Sequence, residues 1–160
     1  KQDWRVWAAL GLVLLVLVFL FLVIKKHGRD AFIFVILFGI GVCINLVLKE
    51  IIGRDRPTFD PLILEPYYSF PSGHAMNAFV FYFALVVYIY RFSRNFTFAL
   101  TGLVVNTLIV LFIGISRVYL GVHYVSDVLA GFVAGLWWVA TALVIDKTLF
   151  VFWRRKRNST

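Results

Sequence analysis

The residues able to do chemistry in this chain fall in three short polar stretches. The last of them, Ser116-Arg-Val-Tyr-Leu-Gly-Val-His123-Tyr-Val-Ser-Asp127, is a polar island between two long apolar runs. A histidine followed four residues later by an aspartate lets the carboxylate sit one turn along the same helix face and hold the imidazole, as an oriented nucleophile or base requires. Taken alone, that spacing also describes a satisfied structural pair, which is the commoner case. Arg117, six residues before the histidine, adds a planar fork of donors suited to phosphate or carboxylate oxygens. The middle stretch, Pro71-Ser72-Gly73-His74, stands immediately before an apolar run. Proline starts a turn, serine caps a helix, and glycine lets an anion approach free N–H groups at the helix start. That describes an oxyanion site with a histidine placed in it. Capping alone accounts for Pro71, Ser72 and Gly73 but gives no reason for His74. The first stretch, Lys49-Glu-Ile-Ile-Gly-Arg-Asp-Arg56-Pro57, carries three cations that attract an anion if they converge. Its plainer reading is a snorkelling Lys49 and a solvated loop in which Arg54 and Asp55 pair. Pro57 is expected to stop any helix that precedes it.

The elements that must position these stretches are membrane spans. A hydrophobic content of 62% in 160 residues, with a mean hydropathy of +0.91, lies far from a soluble composition and marks an integral membrane protein. The formal charge of +8 sits in short clusters between apolar runs and forms no basic stripe, which argues against nucleic acid as a partner. Cys43 is the only cysteine, so neither an intramolecular disulfide nor a thiolate metal site is available. A chain that begins at Lys1 and has its only methionine at Met76 reads as part of a longer translation product. Five runs have the length and apolarity of spans: Trp7 to Ile24, Ala31 to Leu48, Ala75 to Tyr90, Phe96 to Ile115, and Val128 to Ile145. The first has no small-residue cleavage site and reads as a true span. The third is the shortest, and its helix is expected to begin inside the preceding polar segment.

If all five spans alternate, Lys25 to Arg29, Arg91 to Arg94 and Arg154 to Arg157 share one side, and their basic character makes that side cytoplasmic. The three polar stretches then gather at the outer face. The connection from Thr58 to Phe70, with its prolines, Leu62-Ile63-Leu64 and Tyr67-Tyr68, is expected at the membrane interface, as a lid for a lipid or as plain anchoring. Asn106 and Thr107 are expected to hydrogen-bond between helices, Gly131, Ala134 and Gly135 to permit close helix packing, and Asp146 with Lys147 to form an interfacial pair. His27, among lysines, is given no chemical role.

Lys49-(six residues)-Arg56-Pro57, then Pro71-Ser72-Gly73-His74, then Ser116-Arg117-(five residues)-His123-(three residues)-Asp127 resembles the complete three-part signature of the type 2 phosphatidic acid phosphatase superfamily, in order. The resemblance covers residues 49 to 127 and implies an all-α, polytopic transmembrane helix bundle. One domain, 1–160, is expected, with a motif-bearing core of about 31–152. It implies that His123 attacks phosphorus and forms a phosphohistidine, that Asp127 holds the other ring nitrogen, and that His74 protonates the leaving oxygen. The resemblance further implies that Lys49, Arg56 and Arg117, helped by Ser72 and Gly73, neutralise the equatorial oxygens. Pro57, Pro71 and Ser116 are expected to shape the site, and no metal or other cofactor is implied. The expected partner is a lipid phosphate or pyrophosphate in the bilayer, with the site of a multi-pass cell-membrane protein facing outside. Membrane members usually have six spans, so either an initial helix is missing from this chain or this member lacks it. The rival readings are a lipid phosphotransferase using the same histidine and a binding or transport protein for anionic lipids. A soluble vanadium haloperoxidase, which shares the oxyanion cradle, is argued against by the five spans.

Overall fold

The computed structural model describes residues 2–58 and 61–158, with side chains described for residues 9, 11–58, 61–63 and 65–147. Five helices follow in order: α1 (Trp4–Ile24), α2 (Gly28–Ile52), α3 (Gly73–Ser93), α4 (Phe96–Tyr119) and α5 (Val125–Asn158). Short links join α1 to α2 and α3 to α4, which makes these pairs antiparallel neighbours. The helices α2 to α5 each contain a stretch long and apolar enough to cross a membrane, and α1 is apolar through Gly11–Ile24. The expected all-α membrane bundle is the architecture found. A two-residue parallel ladder, β1 (Gln2–Asp3) with β2 (Ile63–Leu64), ties the connection after α2 to the chain start.

Helix ends follow from local chemistry. Gly53 takes a left-handed conformation (φ 59°) and its N–H reaches the Lys49 carbonyl at 2.9 Å, so α2 stops there and not at Pro57. Ser72 caps α3, its hydroxyl accepting from the Ala75 N–H, so α3 does begin inside the polar stretch. Asn95 caps α4 in the same way, accepting from Phe98 N–H at 3.1 Å.

The helix α3 is the centre of the bundle, packed against α2, α4 and α5. Phe34 of α2 meets Phe81 and Tyr88 of α3 edge to face, at centroid distances of 5.4 and 5.8 Å. Outward apolar side chains such as Phe112 (75% exposed) and Val133 have no protein cover, as lipid-facing residues should. Close approach of α5 to the start of α3 depends on Gly131 and Gly135. A Cβ at Gly131 would stand 2.8 Å from the Ser72 carbonyl oxygen, and one at Gly135 would stand 2.9 Å from Phe79 Cβ. Asn106 donates across to the Tyr82 carbonyl at 2.9 Å, whereas Thr107 bonds back within α4 to Leu103.

At the end of the bundle away from the polar stretches, Arg91 of α3 donates to Asp30 of α2 (3.0 Å) and Asp146 of α5 (2.8 Å), and Arg29 joins Asp146 at 3.1 Å. The expected pairing of Asp146 with Lys147 gives way to these partners, because adjacent residues point to different sides of a helix. His27 stacks on Phe92 at 4.1 Å in the same region.

Candidate active site

Four helix ends and two connections bring the polar stretches together. Lys49 comes from the last turn of α2, Ser72, Gly73 and His74 from the start of α3, Arg117 from the last turn of α4, and Asp127 from the first turn of α5. Arg56 lies on the connection after α2 and His123 in the turn before α5. All eight residues expected from the sequence converge at one end of the bundle.

His123 Nδ1 lies 3.5 Å from Asp127 Oδ2. The route to that contact differs from the expected single helix face. Gly121, at φ 71°, follows the end of α4, and His123 sits ahead of α5 while Asp127 sits inside it. The pair still meets because the Asp127 carboxylate folds back over the helix start, accepting from Tyr124 N–H at 2.9 Å. Asp127 is fully buried, and its other oxygen accepts from Arg54 Nη1 at 2.8 Å. Arg54 also donates to Ser126 Oγ at 2.8 Å and lies 4.1 Å over the Tyr124 ring. Arg54 therefore serves Asp127 and not its neighbour Asp55.

His123 is 2% exposed. Burial drives its imidazole down from the ordinary 6.5 to about 2, and the charges of Arg56 and Lys49 push the same way. The ring is held neutral, the state in which a lone pair is available.

Arg56 is fixed by four neighbours, donating from Nε to Tyr67 O (2.7 Å), from Nη1 to Val122 O (2.8 Å) and from Nη2 to Tyr68 O (3.4 Å), with Nη2 2.9 Å from Glu65 Oε2. Lys49 is buried and donates to the Tyr68 carbonyl. A Cβ at Gly73 would stand 2.9 Å from Asn45 Oδ1, so glycine is what lets α3 start against α2 at this point. Asn45 itself holds the Pro71 carbonyl at 3.4 Å, and Ser72 N–H donates to the Asp127 carbonyl at 2.9 Å, locking the start of α3 to α5.

Glu65, which the sequence did not single out, occupies the middle. Its Oε1 is 3.6 Å from His74 Nδ1 and 3.7 Å from Arg117 Nη1, and its Oε2 is 3.8 Å from His123 Nε2. From this polar centre a cavity of about 510 Å³ runs between helices, with Lys49, Arg56, Glu65 and His74 at one end and Leu12, Leu15, Phe38, Leu46 and Phe81 along its walls. Among the described residues no three His, Cys, Asp or Glu side chains form a metal-binding group.

The model of the PAP2 superfamily matches residues 30–150. This chain belongs to the PAP2 superfamily. Phosphatidylglycerophosphatase B of Bacillus subtilis is 41% identical over 113 residues, covering 67% of this PAP2 chain and 53% of that protein. A lipid A 1-phosphatase of Rhizobium johnstonii is 31% identical, covering 76% of this chain and 50% of that protein. The chain spans about half the length of these curated relatives. The crystal structure of a transmembrane PAP2 type phosphatidylglycerolphosphate phosphatase from Bacillus subtilis matches with a TM-score of 0.80 and 34% identity, over 92% of this chain and 79% of that one. With its apolar helices and these relatives, this PAP2 protein is a multi-pass membrane protein.

The sequence reading missed the roles of two residues, Arg54 and Glu65. Arg54 carried a signal, being a third cation next to Arg56. Glu65 carried none, because only the return of its connection over the helix ends brings it inward.

Proposed function

We propose that this PAP2 chain is a membrane phosphatase that removes terminal phosphate or pyrophosphate groups from lipids through a phosphohistidine on His123. The observation that carries this reading is the cavity whose one end is cationic and whose walls are apolar, since a lipid phosphate has the same division. The relatives named for phosphatidylglycerophosphate and for the 1-phosphate of lipid A support this substrate class. The basic residues Lys25, Lys26, Arg29, Arg91 and Arg94 at the opposite end support a site that faces outside.

In the proposed reaction, neutral His123 attacks phosphorus through Nε2 while Asp127 accepts the Nδ1 proton in a hydrogen bond and stabilises the cationic ring that forms. The N–P bond forms as the P–O bond to the lipid breaks, and His74 gives its proton to the leaving oxygen. Water then attacks the phosphohistidine, the N–P bond breaks, and His74 takes up the proton that the water loses. Lys49, Arg56 and Arg117 offset the charge on the phosphoryl oxygens. The Gly73 N–H, in the first helical turn, has no partner within α3 to compete for it, and the Ser72 hydroxyl, which accepts from Ala75, keeps its own proton to donate. Arg54 acts through Asp127, holding its carboxylate aimed.

The test is phosphate release by the detergent-solubilised protein in excess EDTA from phosphatidylglycerophosphate, undecaprenyl pyrophosphate and phosphatidic acid. Turnover despite chelation is expected on at least one, and His123→Ala is expected to abolish it while phosphate still binds. A folded protein inert on all three would overturn the reading.

A further inference from the structure

The proposed reaction leaves Glu65 without a task, yet its carboxylate is the group that the rest of the site surrounds. One oxygen stands 2.9 Å from Arg56 Nη2 and 3.8 Å from His123 Nε2, the attacking nitrogen. The other stands 3.6 Å from His74 Nδ1 and 3.7 Å from Arg117 Nη1. An anion is therefore already seated with one oxygen toward the nucleophile and a cation, and the other toward the proton donor and a second cation. A phosphoryl group must fill the same space with its own oxygens. Two anions do not share a site this small, because their repulsion is little screened away from water. Glu65 is almost covered, its side chain 10% exposed, so it belongs to the interior and not to a solvated rim.

We infer that Glu65 is an internal stand-in for phosphate, seated in the cradle when no substrate is present and displaced by every phosphate that enters. This rests on the reading of the site as a phosphate site. The backbone on either side is pinned. Leu62 N–H bonds the Leu120 carbonyl at 3.2 Å and Ile63 is 2% exposed. Ser69 is fully buried, its N–H on Arg54 O at 2.8 Å and its hydroxyl on Asp55 O at 2.9 Å. Displacement is thus a rotation of the Glu65 side chain about its own bonds, with the connection left in place. A tethered anion competes at high effective concentration, and competition for one seat weakens all incoming anions by one common factor. The consequence reaches the product as well. Inorganic phosphate held by three cations in a buried pocket leaves slowly, and a carboxylate ready to take its place loosens it. Ground-state grip of that kind adds nothing to rate once substrate saturates the site, so its loss is tolerated.

The experiment compares the wild-type chain with Glu65→Gln and Glu65→Asp, which removes the charge or withdraws it on a shorter arm. Binding of inorganic phosphate and of orthovanadate is measured by calorimetry on detergent-solubilised protein, alongside KM for a short-chain lipid phosphate. In Glu65→Gln, phosphate Kd, vanadate Kd and KM are all expected to fall by one common factor of about ten to a hundred, the range of one or two charge-assisted hydrogen bonds. Glu65→Asp is expected to shift them in the same direction by less, and it decides the matter if the glutamine variant does not fold. Unchanged phosphate and vanadate affinity in a folded variant overturns the inference, as does a fall in kcat with affinity unchanged, which would make Glu65 part of the chemistry. Tightened binding in a protein that hydrolyses no lipid phosphate would leave this inference standing and remove the enzymatic one.

Discussion

Arg54→Ala isolates the support of the nucleophile from the grip on phosphate. Asp127 has no exposed surface and receives two strong hydrogen bonds, from Arg54 Nη1 at 2.8 Å and from Tyr124 N–H at 2.9 Å, besides its 3.5 Å approach to His123. Removal of the guanidinium leaves a buried carboxylate with one of these two donors, which loosens its orientation and weakens its hold on the imidazole. A hydrogen bond to a charged group is worth about 1.5–3 kcal/mol. If that is expressed in the transition state, where the imidazole becomes cationic, kcat falls by about ten- to a hundred-fold. KM should change little, since Arg54 faces Asp127 and Ser126 while Arg56 faces the cradle. The assay is steady-state phosphate release from a short-chain lipid phosphate for Arg54→Ala, Asp127→Asn and the double variant. Because both changes act on one contact, the double variant should be no slower than Asp127→Asn alone. Arg54→Lys, which keeps the charge but not the fork, should recover part of the rate. A loss in kcat below three-fold, or losses that multiply in the double variant, would refute the reasoning.

The depressed His123 pKa makes a prediction about stability. The unfolded chain takes a proton on this histidine near 6.5, whereas the folded chain resists until about 2, so the unfolded state binds more protons below 6.5. This group's contribution is therefore present above pH 6.5 and lost as pH falls, by up to about 1.4 kcal/mol per pH unit. The apparent Tm in detergent should drop between pH 6.5 and 5 more steeply for wild type than for His123→Gln, and equal slopes would count against the buried neutral ring. Gly131→Val should cost about 1–3 kcal/mol and lower activity with it, because its Cβ meets the Ser72 carbonyl at 2.8 Å and the Met76 nitrogen at 3.1 Å, backbone atoms that cannot step aside. Gly39→Ala, in a helix with nothing within 4 Å, should be neutral or slightly stabilising in the same melt.

What could be read from the sequence was whatever a short span of residues decides. Apolar runs gave the helices, and the start of α3 followed from a serine able to cap it. The three polar stretches were legible because residue type, spacing and order are all local properties, and they met because alternating spans put every second connection at the same end. What escaped were contacts made only by the assembled bundle. Arg54 had an adjacent acid, Asp55, and found a distant one. Asp146 ignored Lys147 for two arginines on other helices. His123 and Asp127 were placed on one helix because a spacing of four suits it, but Gly121 turns the chain before α5 begins, and the same contact arises from a carboxylate folding back over a helix start. Gly53 ended α2 before Pro57 could. Glu65 gave no local sign, since its position depends on how far the connection folds inward.

The ion pairs of Arg29, Asp30, Arg91 and Asp146 have a consequence for how the bundle yields. They rivet α2, α3 and α5 at the end far from the site, and the Ser72 N–H to Asp127 carbonyl bond rivets α3 to α5 again at the near end. Three of the helices that carry site residues thus form a stiff frame. The helix α1, which supplies Gly11, Leu12, Leu14 and Leu15 to the cavity wall, packs on α2 and is tied at the chain start by the β1–β2 ladder. Braced at both ends, α3 and α5 cannot slide past one another without breaking ion pairs at one end or the Ser72 bond at the other, so the register of His74 against Asp127 is set by the whole length of the bundle and not by the site alone.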